Sequence, residues 1–230
     1  MKKIALLISA LFLTTASYGQ TLISWDVSTI ELDVGYSAPY TVAGTAAANV
    51  DGGNLTLGSG VNSTTSAAQY GFKVGGGNEQ TTLAGAISNN HYIQFTVTAA
   101  TGYILNLSSL DFNGETSGTG SDDIAVLTSV DGFTSGNQIA SLTGRHVVAT
   151  GDFDTDASGF GSVISLSASK YQNLSSITFR IYGWNTTSGS GTTYIRNLGG
   201  TDADLTINGT TAVSAVPEPS TYALIFGAAT

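Results

Sequence analysis

The sequence predicts an all-β protein, an antiparallel β-sandwich, and three observations carry the prediction. Apolar residues recur at every second position in several short segments rich in Thr, Val, Ile and aromatics. Gly, Asn and Asp clusters separate those segments at fairly regular spacing. No long segment sustains a 3.6-residue period, so extended helices are not expected. A closed barrel is the alternative arrangement. A parallel β-helix is a weaker one, because no fixed-period repeat is visible.

The elements follow in chain order. Lys2 and Lys3 open the chain, Ile4 to Leu13 are apolar, and Ser17 and Gly19 are small residues three and one before Gln20. That order is the layout of a secretory signal peptide, expected over residues 1–19, and its apolar run is too short to span a membrane. "TLISWDVS" is the first expected strand, and "NLTLGS" another. In "YIQFTVT", Ile93, Phe95 and Val97 share one face, while Tyr92, Gln94, Thr96 and Thr98 share the other. "YILNLSSLDF", "DIAVLTS" and "SVISLSA" follow, with "SASKYQNLSS" allowed one helical turn. "SITFRIYGW" sets Ile177, Phe179 and Ile181 against Thr178, Arg180, Tyr182 and Trp184. "ADLTING" pairs Leu205 with Ile207 and ends the pattern. Turns are expected at Asp51-Gly52-Gly53, Gly75-Gly76-Gly77, Asn113-Gly114, Asp131-Gly132 and Asn208-Gly209. One domain over residues 20–211 is expected, with no linker inside it.

Composition narrows the function. Removing the signal costs two of seven basic residues and none of sixteen acidic ones, which takes the formal charge from −9 to −11. So acidic a chain lacks the basic footprint that nucleic acid needs. The absence of cysteine excludes thiol catalysis and Cys-based zinc sites. Apolar residues make up 41%, enough for a folded core.

Chemistry-bearing motifs are few. There are two histidines, His91 and His146, and no HExxH. His146 follows Arg145 and reads as a loop residue. No G-x-S-x-G, G-x-G-x-x-G or P-loop is present. Glu31 and Asp33 would share a strand face, but the third acid of the E-x-D-x-x-E pattern of a jelly-roll hydrolase family falls at Tyr36, so a general acid is missing. Asp152, Asp154 and Asp156 alternate like the start of a calcium loop. Ala157 and Val163 stand where its glycine and closing glutamate belong, which leaves at most a loose calcium site. Arg180, Tyr182 and Trp184 on one strand face form a candidate glycan platform, with core packing the commoner use of such rings. N-x-S/T occurs repeatedly, for example at Asn62, Asn173, Asn185 and Asn208, and reads as a Thr/Ser/Asn-rich surface.

The composition changes over residues 212–230. Pro217 and Pro219 remove two backbone donors, and only Pro39 precedes them. Val216, Pro217, Glu218, Pro219 and Ser220, followed by apolar Tyr222 to Ala229, resemble the PEP-CTERM sorting signal of Gram-negative bacteria. In that family the motif precedes a membrane helix and an arginine cluster and is processed by an exosortase. The residues from Ala223 to Thr230 are too few to cross the hydrocarbon, so the expectation is a chain cut inside that helix. "SVDGF", "LSSITFRIYGWNTTSGSGTTYIRNL" and "ISWDVS" also look like the β-sandwich ectodomains found upstream of such tails. The resemblance implies a jelly-roll-like fold and no known activity. It implies an exosortase as partner, transient membrane anchoring through the tail, and export through the inner membrane to the cell surface or beyond. The expected function is a non-enzymatic surface or matrix protein associated with exopolysaccharide, with no cofactor unless calcium binds. A carbohydrate-binding module is the alternative, and a glycan-active hydrolase a more distant one.

Overall fold

The computed structural model describes residues 19–28, 30, 41–64, 68–144, 150–154, 159–160, 162–197 and 203–214. The expected signal peptide up to residue 18 and the sorting motif lie outside them.

Seventeen strands are described. In chain order they are β1 Gln20–Trp25, β2 Val42–Ala43, β3 Thr45–Ala46, β4 Val50–Asp51, β5 Asn54–Leu57, β6 Asn62–Ser63, β7 Gln69–Lys73, β8 Tyr92–Ala99, β9 Tyr103–Phe112, β10 Gly114–Ser117, β11 Ser121–Thr128, β12 Ala140–Leu142, β13 Thr150–Asp152, β14 Ile164–Ser165, β15 Ser176–Thr186, β16 Thr193–Arg196 and β17 Leu205–Val213. One helix, α1 Leu83–Ser88, lies between β7 and β8, and single 3-10 turns occupy Ser129–Asp131 and Ser169–Tyr171. The protein is all-β, and its paired strands are antiparallel.

The strands form three sheets, ordered β14-β9-β17-β1-β3, β13-β10-β16-β7-β6 and β12-β11-β15-β8-β5-β2, with β4 also paired to β8. Asn113 alone separates β9 from β10. Its N–H donates to the Asp204 carbonyl at 2.9 Å and its carbonyl accepts from Arg196 N–H at 3.0 Å, so the two five-stranded sheets follow one another end to end. Together they face the seven-stranded sheet in a sandwich-like arrangement.

The alternation in the sequence explains the core. Ile93, Phe95 and Val97 on β8 lie opposite Ile181, Phe179 and Ile177 on β15, and all six are buried. Phe95 and Phe179 stack with centroids 5.2 Å apart. From the opposite layer Trp25 reaches Phe95, with centroids 5.1 Å apart, and its Nε1 donates to the Gly53 carbonyl at 3.0 Å. Tyr70 spans the same gap, its hydroxyl donating to the Leu55 carbonyl at 2.9 Å. Each polar tip therefore has a partner, as burial of a large amphipathic ring requires. Leu105, Leu107, Leu110 and Phe112 on β9 and Leu205 and Ile207 on β17 complete the core.

Several expectations need correction. Asn113-Gly114 and Asn208-Gly209 are not turns. The first joins β9 to β10. The second lies inside β17, where the register to β9 shifts between Asn208 and Gly209. A side chain at 209 would meet the Asn106 carbonyl oxygen, so glycine lets the two backbones approach at this bulge. The strand consequently runs to Val213 rather than ending at Ile207. Helix α1 was not expected, because six residues make under two turns and show no sustained period. Thr82 caps it, its hydroxyl accepting from Gly85 N–H at 3.1 Å.

Candidate functional site

Three groups of chemistry-bearing side chains stand out, and the first contains the expected platform. Arg180, Tyr182 and Trp184 do share the outer face of the seven-stranded sheet, as strand alternation requires. The face is covered at this end. Tyr182 has no exposed surface and Trp184 is 9% exposed. They pack with Leu83 and Ala86 of α1, Tyr92 of β8, and Ala125 and Leu127 of β11, with Ile87 and Phe133 alongside, in a second, smaller apolar cluster. At this end of the sheet the rings pack as a buried patch, the commoner use of such residues.

Arg180 is the centre of that patch. Its guanidinium carbon lies 4.2 Å from the Tyr92 ring centroid and 3.9 Å from that of Phe133. Its Nε donates to Gln94 Oε1 at 2.8 Å and its Nη1 to the Tyr182 hydroxyl at 3.2 Å. Burial pushes the Tyr182 phenol above its ordinary pKa, and the hydrogen bond from Arg180 opposes the shift. Phe133 reaches Arg180 through two consecutive left-handed residues, Gly132 at φ 64° and Phe133 itself at φ 53°. Only glycine takes that region freely, so Phe133 is strained. The turn is held by Phe133 N–H to the Thr128 carbonyl at 3.1 Å and by Thr178 N–H to the Ser129 hydroxyl at 3.0 Å. Lys170 joins Asp131 at 2.7 Å, and that contact raises the Lys170 pKa. The "SVDGF" stretch is therefore a latch that closes over Arg180.

The second group contains the middle residue of the expected calcium loop. Asp154 is 2% exposed. One carboxylate oxygen accepts from Gly114 N–H and the other from Arg196 Nη2, each at 2.5 Å. Arg196 also donates to Glu115 at 2.9 Å, and Glu115 accepts from the Tyr194 hydroxyl at 2.7 Å. An arginine thus holds the position where a cation would be wanted. The backbone of Asp152 pairs with Glu115 in the sheet, and Asp156 lies outside the described residues. Among the described residues no group of three or more His, Asp or Glu side chains is arranged to hold a metal ion.

The third group was not singled out beforehand. His91 has no exposed surface. Asn78 Nδ2 donates to the Gly60 carbonyl at 2.9 Å and the Val74 carbonyl at 3.3 Å, which fixes the amide orientation. The same nitrogen lies 3.1 Å from His91 Nε2; its two protons are shared among these three acceptors, so Nε2 presents its lone pair. The ring proton is therefore on Nδ1, which has no partner among the described residues. Burial lowers the His91 pKa below its ordinary value. The sequence offered no signal beyond the presence of the histidine itself.

Glu31, Asp33, Tyr36, Arg145 and His146 lie outside the described residues, as do Val216, Pro217, Glu218, Pro219 and Ser220. Among the described residues no helix is long and apolar enough to cross a membrane. In comparisons with known proteins, no family model, no curated protein and no solved structure matches the chain.

Proposed function

We propose that the chain is an exported, non-enzymatic surface or matrix protein, delivered by an exosortase-type sorting signal and associated with exopolysaccharide. The observation that carries the reading is the position of the folded body between two address-like segments. Strand β1 begins at Gln20, the residue at which signal cleavage is predicted, and β17 ends at Val213, three residues before "VPEPS". In sequence, that body lies between the two segments that processing enzymes would read. The surface chemistry suits the destination, since Thr, Ser and Asn side chains hydrogen-bond to water and sugars without charge.

The jelly-roll-like arrangement belongs to this reading. It is supported by the way consecutive strands change layer: β7, β9 and β10, β14, and β16 and β17 lie in the five-stranded layer, while β8, β11, β12 and β15 lie opposite. At the Asp154 corner Arg196 pairs with both Asp154 and Glu115.

The test is localisation in a Gram-negative host with and without an exosortase. The expected outcome is a mature N-terminus at Gln20, and accumulation at the surface only when the enzyme is present and "VPEPS" is intact. Retention of an unprocessed chain in the cytoplasm would sink the reading. Identical distribution of a Pro217→Ala, Pro219→Ala double variant would remove the exosortase from it.

A further inference from the structure

Next to the Asp154 group, where the Asp154 backbone carbonyl accepts from Phe160 N–H at 2.8 Å, the two layers leave a groove along one side. Strand β12 is the edge of the seven-stranded sheet and pairs with β11, and β14 is the edge of a five-stranded sheet and pairs with β9. Between these edges lies a groove of about 400 Å³. Its floor is apolar: Ile164 is buried, and the half-buried ring of Phe160 stands edge-on to Phe112, with centroids 5.7 Å apart. Its rim carries the exposed hydroxyls of Ser141, Ser162 and Ser165, together with Val163, which is 49% exposed. Among the described residues that line it, none is charged.

We infer that this groove binds a neutral polysaccharide chain. The volume falls in the range of ligand clefts, about 300–1,000 Å³. A sugar ring has apolar C–H faces and a polar circumference, which match an aromatic and aliphatic floor ringed by hydroxyls that both donate and accept. An acidic glycan would find no cation among the described lining residues and a chain of formal charge −9 around it. An extended peptide could add to a free strand edge, but β12 offers three residues and β14 two, too few main-chain partners for strand addition. The inference rests on the proposed function for a polysaccharide to be at hand, and it names the site of that association.

The test uses the full exported chain and isothermal titration with hexasaccharides. The probes are β-1,4-glucose, β-1,3-glucose and β-1,4-mannose oligomers, a uronate hexamer as acidic control, an octapeptide of alternating Val and Thr, and the exopolysaccharide of the producing cells. Val163→Asp and Ser141→Trp alter the rim at exposed positions, and Phe160→Ala removes the ring. The expected result is saturable binding of a neutral hexasaccharide or of the exopolysaccharide, weakened at least about tenfold in the first two variants at unchanged melting temperature. Binding retained in both rim variants overturns the groove and leaves the surface reading standing. Preference for the uronate or the octapeptide overturns the neutral-sugar assignment. Binding to none of the sugars overturns the groove, and with it the exopolysaccharide association, while localisation still reports on export and sorting separately.

Discussion

At the scale of single residues, His91 and Arg196 carry the clearest consequences. The His91 pKa is lowered in the folded chain, so as pH falls the unfolded chain takes up its proton first. The stability this group contributes is complete above the ordinary histidine value of about 6.5 and is lost as pH falls through it. Protonation would also set an Nε2–H against the Asn78 amide, which is already committed as a donor. Urea midpoints of the wild type should therefore fall between pH 7.5 and 5.5 more than those of His91→Gln; equal slopes would contradict the assignment. Arg196→Leu leaves Asp154 buried without its cation and should cost about 3 kcal/mol, read from urea unfolding at pH 7. Asp154 was legible as an acid in an alternating run, but its partner was not. Arg196 lies 42 residues away, and only the sheet pairing of β10 with β13 and β16 brings the two together.

At the scale of elements, the latch over Arg180 and the bulge in β17 are the points to probe. Arg180→Met keeps an apolar filler but removes two ring contacts and two hydrogen bonds. A desolvated cation–π contact contributes up to about 2 kcal/mol. With it gone, the strained turn at Gly132 and Phe133 should open, and limited proteolysis should cut first near 129–135. A cleavage pattern identical to wild type would show that the latch is held by other contacts. Gly209→Val should cost about 1–3 kcal/mol, because its Cβ would press on the Asn106 carbonyl and Leu22. The long strands β8, β9 and β15 were readable because half-buried sheets impose a period of two over eight or more residues. Strand β14 was overestimated: "SVISLSA" alternates well, but only Ile164 and Ser165 pair with β9. Asn-Gly misled for a physical reason, since the residue that fits a tight turn also fits a bulge. The common face of Arg180, Tyr182 and Trp184 was likewise readable. Its cover was not, because α1 and Phe133 reach it from about fifty to a hundred residues earlier in the chain.

At the scale of the whole molecule, the proposed function divides the chain into a folded body and two address segments. The described body closes with Val213 opposite Tyr103 and with Ser214 N–H donating to the Gly102 carbonyl at 2.8 Å. The central claim is that the residues after Ser214 are read by other proteins and contribute little to folding. The most direct measurement is the melting temperature of the chain from Gln20 to Thr230 beside that of the chain ending at Ser214. The account predicts a difference under about 2 °C, since 1 kcal/mol shifts a domain of this size by about 2–4 °C. A loss of many degrees on removing the tail would show those residues packing in the sandwich and would contradict the claim.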